Sequence, residues 1–264
     1  MSTPAYALRD SLTMLRRELR HTQRYPVMLI SSIATPIIML LLFDYVLGGA
    51  MGAGLASLIN GSGSYIDYLA PGIILMTICT GSATTALSVN SDLREGIIAR
   101  FRTMAISRSA LLVGHVASSV IRTIFSTALL LAVALLLGFR PHAGVVEWFA
   151  LFGLIVLFAF AVAWLSVALG LATRSPAAAN TSTMPLQFLL PITSSAFVPL
   201  ASMPEELRWF AEHQPLTPII ETIRGLLLGN AIGNNGLPAV AWCAVIAVIG
   251  YLWAQRAFDR GPAQ

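Results

Sequence analysis

Six stretches of this sequence run to about twenty residues or more, each with at most one charged side chain: roughly 27–47, 69–91, 112–138, 146–172, 182–200 and 237–255. About 20 apolar residues are what an α-helix needs to cross the ~30 Å hydrocarbon layer of a bilayer. Inside lipid every backbone N–H and C=O must be satisfied by the protein itself, which leaves only helices and closed barrels. Runs this long and this free of charge are helices. Only 11% of the 264 residues are charged, against about 25% in a soluble domain. A soluble enzyme, a disordered chain and a disulfide scaffold are excluded. The expected fold is an all-α polytopic membrane protein, one transmembrane domain over 1–264.

Within that domain, residues 1–26 carry five arginines, with Leu8, Leu12, Leu15 and Leu19 at helical spacing. They read as an amphipathic helix on the membrane surface, ended by Pro26, and no cleavable signal peptide is expected. Residues 27–200 hold spans 1 to 5. Span 5 is irregular, with Pro185, Pro191 and Pro199 inside or at its edge. Residues 201–236 are too polar to span and too apolar for a plain loop. They read as two short helices dipping into the outer leaflet, with a corner at Pro215–Pro218. Residues 237–264 are span 6 and a tail.

Orientation follows the basic residues. With the N-terminus inside, twelve arginines fall on the cytoplasmic side and three (Arg140, Arg208, Arg224) outside. Both termini are therefore expected in the cytoplasm, and the chain in the cell membrane. The formal charge of +4 reflects this topology and does not indicate nucleic acid.

All 16 basic residues are arginine. A phosphate-binding P-loop needs a lysine, and so does a Schiff base with pyridoxal phosphate, so neither exists here. The four histidines share no metal-ligand spacing, Ser82 and Ser88 have no partner base in view, and Cys79 and Cys243 lie in apolar runs. No catalytic, cofactor or metal role is assigned. Charged residues inside spans are the default functional candidates. For Asp44 the plainer reading is an interfacial carboxylate, and for Arg122 it is a side chain snorkelling to the inner interface.

Spans 2 and 5 are rich in hydroxyl and amide side chains. Thr84, Ser88, Gln187, Ser194 and Ser195 are candidates for a substrate path. Such residues also let helices pack closely, and the two readings are compatible. Between spans 2 and 3, Asp92 to Arg102 mixes charge with Ile97, Ile98 and Phe101 at helical spacing. This is a short amphipathic helix, either resting on headgroups or docking a cytosolic partner.

Three groups of motifs, in this order, resemble the ABC type-2 export permeases of the daunorubicin/doxorubicin-resistance group. The first is the N-terminal helix ending Arg24-Tyr25-Pro26. The second is Asp92-Leu93-Arg94-Glu95-Gly96 followed by Arg100-Phe101-Arg102. The third runs from Phe197-Val198-Pro199 and Met203-Pro204 through Gln214-Pro215-Leu216-Thr217-Pro218 to Ile223-Arg224-Gly225-Leu226-Leu227-Leu228-Gly229. Gln214 stands where family members often have Asn.

The resemblance implies a permease driven by a separate ATPase subunit, which would bind the ATP and Mg2+; this chain would bind neither. It also implies pairing with a second copy or a sibling permease. Asp92, Glu95, Gly96, Arg100, Phe101 and Arg102 would couple to the ATPase, braced by Leu12, Arg16, Arg17, Leu19 and Arg20. The substrate implied is a hydrophobic or amphiphilic small molecule: a drug, an antibiotic or a lipid. Glycan export ranks lower for want of aromatic lining. A proton-coupled carrier would normally show a relay of buried acids, which this sequence does not, and a non-transporting anchor for an ATPase would not need the polar residues of spans 2 and 5.

Overall fold

The computed structural model describes Arg16 and residues 26–47, 65–94 and 108–260. Among these residues every regular element is helical. Their order is α1 (Pro26–Leu42, continued by a widened π-helical turn Phe43–Leu47), α2 (Tyr65–Arg94), α3 (Arg108–Leu136), α4 (Val145–Ala172), α5 (Pro176–Met184), α6 (Glu205–His213), α7 (Leu216–Leu228) and α8 (Gly236–Arg260). Four of them, α2, α3, α4 and α8, are long and apolar enough to cross a membrane. They correspond to expected spans 2, 3, 4 and 6. Span 1 is a shorter apolar helix. Span 5 is broken, as its prolines imply: α5 passes into a π-helical turn, Pro185–Leu189, and a last turn, Leu190–Ile192. Proline has no N–H to donate and crowds the preceding turn, and a widened turn is one way a helix absorbs this.

Local chemistry sets the helix ends. Ser175 caps α5 by accepting a hydrogen bond from the Ala178 N–H at 3.1 Å, with Pro176 in the first turn, a pairing that suits a helix start. α7 ends at Gly229 in the left-handed conformation (φ 70°), and the Asn230 N–H returns to Gly225 O. Gly138 (φ 105°) turns the chain from α3 toward α4. The loop between them docks on the end of α7, where His142 N donates to Leu227 O at 2.9 Å.

α4 is the centre of the bundle and packs against α2, α3 and α8. Lipid tails are as apolar as leucine, so helices gain by approaching closely rather than by hiding apolar surface. Glycines make the approach possible. A Cβ on Gly170 would lie 2.5 Å from Ala86 O of α2, and one on Gly250 of α8 would lie 2.6 Å from Leu165 N of α4. Most of α2 is buried and most of α8 is not, so α2 is enclosed while α8 presents Val240, Val248, Ile249 and Leu252 outward.

These contacts separate two glycines of the same helix. Gly170→Ala should destabilise the protein by about 1–3 kcal/mol through overpacking. Gly153→Ala, with nothing within 4 Å of the added atom, should cost nothing. Thermal unfolding of the two variants in one detergent checks this.

Candidate functional site

The polar residues of the bundle gather at three levels, and α2 contributes to each. At the Arg94 end of α2, Asn90 donates from Nδ2 to Gly170 O (3.1 Å) and Thr173 O (2.8 Å) of α4 and its C-terminus. Arg94 donates to Arg174 O at 2.9 Å. Asp92 is buried and pairs with His115 of α3, Oδ2 to Nε2, at 3.2 Å. The helices flanking residues 95–107 are thus joined by a buried carboxylate–imidazole contact. Of the expected ATPase-coupling residues, Asp92 is the one described. Glu95, Gly96, Arg100, Phe101 and Arg102 lie outside the described residues, as do Leu12, Arg17, Leu19 and Arg20. Arg16 is described as helical and exposed.

Half-way along, α2 and α3 share a hydroxyl seam. Thr85 and Ser119 are hydrogen-bonded at 2.7 Å, and Arg122 donates from Nη2 to Thr85 Oγ1 at 3.0 Å. Arg122 is half-buried, and its guanidinium reaches across to the Thr85 hydroxyl of α2. Gly81 leaves the space for this approach, since a Cβ there would meet Thr123 Oγ1 at 3.1 Å. Ser118, Ser119, Thr123, Ser126 and Thr127 of α3 are all buried. Sequence reasoning passed over this stripe, although its signal is present. Ser-Ser-x-x-Arg-Thr-x-x-Ser-Thr repeats every four residues, which is one helical face.

The candidate path residues do not converge on one another. Thr84 is half-buried and returns its hydroxyl to Gly81 O at 2.9 Å. Ser88 is half-buried too. Gln187, buried in the π-helical turn, donates to Thr183 Oγ1 at 2.7 Å. Ser194 donates to Pro191 O at 2.6 Å and accepts from Ala196 N at 3.1 Å, closing the turn after span 5. The carbonyl of Ser195 accepts from Tyr68 Oη of α2 and from Arg224 Nη2 of α7, each at 2.9 Å. Sequence reasoning assigned no role to Tyr68 and gave Arg224 as an outer-side arginine and part of a motif. At the corner between α6 and α7, the Thr217 hydroxyl donates to Ala211 O. The buried amide of Gln214 has no hydrogen-bond partner there among the described residues.

Among the described residues, the polar side chains at these three levels serve to join the helices of the bundle. A family model described as "ABC-2 type transporter" matches residues 10–228. The chain belongs to this family. It is an ABC-2 transporter membrane subunit, a multi-pass membrane protein rather than an enzyme. It is similar to "Daunorubicin resistance ABC transporter permease protein DrrB1" of Streptomyces coeruleorubidus, 28% identical over 249 residues, 94% of this chain and 86% of that protein. It is also similar to "Probable doxorubicin resistance ABC transporter permease protein DrrC" of Mycobacterium tuberculosis, 26% identical over 250 residues, 92% of this chain and 88% of the relative. The match extends through all three polar levels of this ABC-2 chain.

Hydrogen bonds between membrane helices couple by about 0.6 kcal/mol on average and up to about 1.7. A double-mutant cycle of Thr85→Val and Ser119→Ala, read by unfolding in detergent, should give a coupling in that range. Additive losses would place the two hydroxyls apart.

Proposed function

We propose that this chain is the permease subunit of an ATP-driven exporter that moves a hydrophobic or amphiphilic small molecule out of the cytoplasm. A separate ATPase subunit supplies the energy. The observation that carries this reading is the family match over 10–228, joined to relatives whose names specify resistance to daunorubicin and doxorubicin. Spans that mix hydroxyls with apolar side chains suit an amphiphilic cargo. The absence of lysine supports the division of labour, because a P-loop requires one.

In this reading the chain crosses the membrane six times with both termini in the cytoplasm, and α6 and α7 lie at the outer leaflet. The coupling segment is residues 92–102, of which Asp92 to Arg94 are the last turn of α2, and the segment of residues 1–26 would brace the ATPase. ATP binding biases the transporter only insofar as the two conformations differ in affinity for nucleotide. The Asp92–His115 contact supports transmission, since it ties together the two helices on either side of the coupling segment. A second copy, or a sibling permease, would complete the unit around a two-fold axis. α1 leaves Ile38, Leu42 and Tyr45 exposed, and span 5 leaves Phe188, Leu189 and Ile192 exposed, which suits those faces to a partner. Thr84, Ser88, Gln187, Ser194 and Ser195 remain the proposed lining.

The deciding experiment is a pulldown of the tagged permease from mild detergent, assayed for a co-purifying ATPase. Glu95→Arg should abolish that association and drug export while membrane insertion persists; unchanged export would remove the coupling assignment. Topology is tested separately with single cysteines at Ser62 and Ser107. They should react with an impermeant maleimide from the outside and the inside respectively, and labelling from one side would refute six spans.

A further inference from the structure

Span 5 ends in a buried turn that three other elements reach. We propose that this turn, Thr193 to Phe197, is a latched outer gate, and that Tyr68 and Arg224 are the positioning residues that hold it shut. The gate rests on the export reading for its purpose, though not for its geometry.

The closure converges on one atom. Tyr68 Oη and Arg224 Nη2 both donate to Ser195 O at 2.9 Å, which occupies both lone pairs of that carbonyl. Arg224 is itself held in place. Its guanidinium lies 4.0 Å from the centroid of the Tyr68 ring, and Nη1 pairs with Glu221 Oε1 at 2.6 Å. On the next residue, the Ala196 carbonyl sits so close to α2 that a Cβ on Gly72 would lie 2.6 Å away. Phe197 stacks on Phe43 of α1 with ring centroids 5.2 Å apart. Elements that follow and precede the turn by many residues thus close over a segment of five.

Two features make this a latch rather than a permanent joint. Ser195 Oγ and Arg224 Nε are both buried, and neither has a hydrogen-bond partner among the described residues. A buried polar atom left unpaired disfavours the arrangement that buries it. Here the two unpaired atoms belong to the same two residues that make the closing bond, so parting them lets both find partners. The turn also lies between Pro191 and Pro199, outside any regular helix, so its backbone can swing without breaking a helical ladder.

Ser195→Cys supplies a nearly isosteric reporter that leaves the carbonyl in place. In the full chain in membranes, with an impermeant maleimide outside, this thiol should react slowly. Adding Tyr68→Phe or Arg224→Gln should speed its labelling at least tenfold, while Arg224→Lys, which keeps a cation without the planar fork, should speed it less than Gln. The native Cys79 and Cys243, both buried, should stay unreactive throughout. Unchanged labelling at position 195, or labelling that appears at all three cysteines together, would overturn the latch. Labelling requires no transport. Flat labelling beside intact drug export therefore refutes the gate alone, and accelerated labelling in a chain that exports nothing leaves the gate standing and refutes the export reading.

Discussion

Close approach between helices is the constraint on which the rest of this structure depends. A membrane supplies no reward for pairing one apolar surface with another, so the bundle holds where backbones nearly touch and where polar side chains find partners across an interface. α4 illustrates the first means. It meets α2 at Gly170 and α8 at Gly250, where an added methyl group would collide with the backbone of Ala86 or Leu165. Next to this backbone contact, the Trp164 ring packs edge-on to Tyr251 at 4.9 Å between centroids.

α2 illustrates the second means. It carries Tyr68, Thr85, Asn90, Asp92 and Arg94, each bonded to a different neighbour. A helix so furnished cannot face hydrocarbon, since an unsatisfied polar group there costs several kcal/mol. Its burial follows from its composition. α8 is the converse, with an outward face of valine, isoleucine and leucine that needs no partner. The arrangement of the bundle, enclosed α2 and α4 with peripheral α8, is thus a sorting of helices by what their side chains require.

That sorting explains what was legible in the sequence. The long spans declare themselves because lipid imposes a minimum apolar length: spans expected at 69–91, 112–138, 146–172 and 237–255 are found at Tyr65–Arg94, Arg108–Leu136, Val145–Ala172 and Gly236–Arg260. The break in span 5 follows from Pro185 and Pro191. Two short helices follow it, Glu205–His213 and Leu216–Leu228, but they meet at Gln214–Pro215, and Pro218, expected at the corner, lies inside the second. The hydroxyl stripe of α3 is harder to see, because its four-residue repeat is set in a strongly apolar run and reads as ordinary span composition. The direction taken by Arg122 depends on Gly81 and Thr85, thirty-seven or more residues away. Tyr68, Ser195 and Arg224 are separated by 127 and 29 residues, and nothing local marks them as neighbours.

The irregularity of span 5 bears on how such a subunit could move. A continuous helix transmits a displacement at one end to the other, because each N–H is committed to a carbonyl one turn back. Span 5 is interrupted twice. The Leu190 N–H returns to Pro185 O across the widened turn, and Pro191 offers no N–H at all. Ser194 then bonds Pro191 O and ends the helix in a turn. The first half of span 5, α5, is consequently joined to the turn at Ser195 by a segment short of helical hydrogen bonds. Motion at the α5 end need not be copied at the Ser195 end, which is held by its own contacts to Tyr68 and Arg224. Two ends of one span held by different contacts are what the proposed latch requires of span 5.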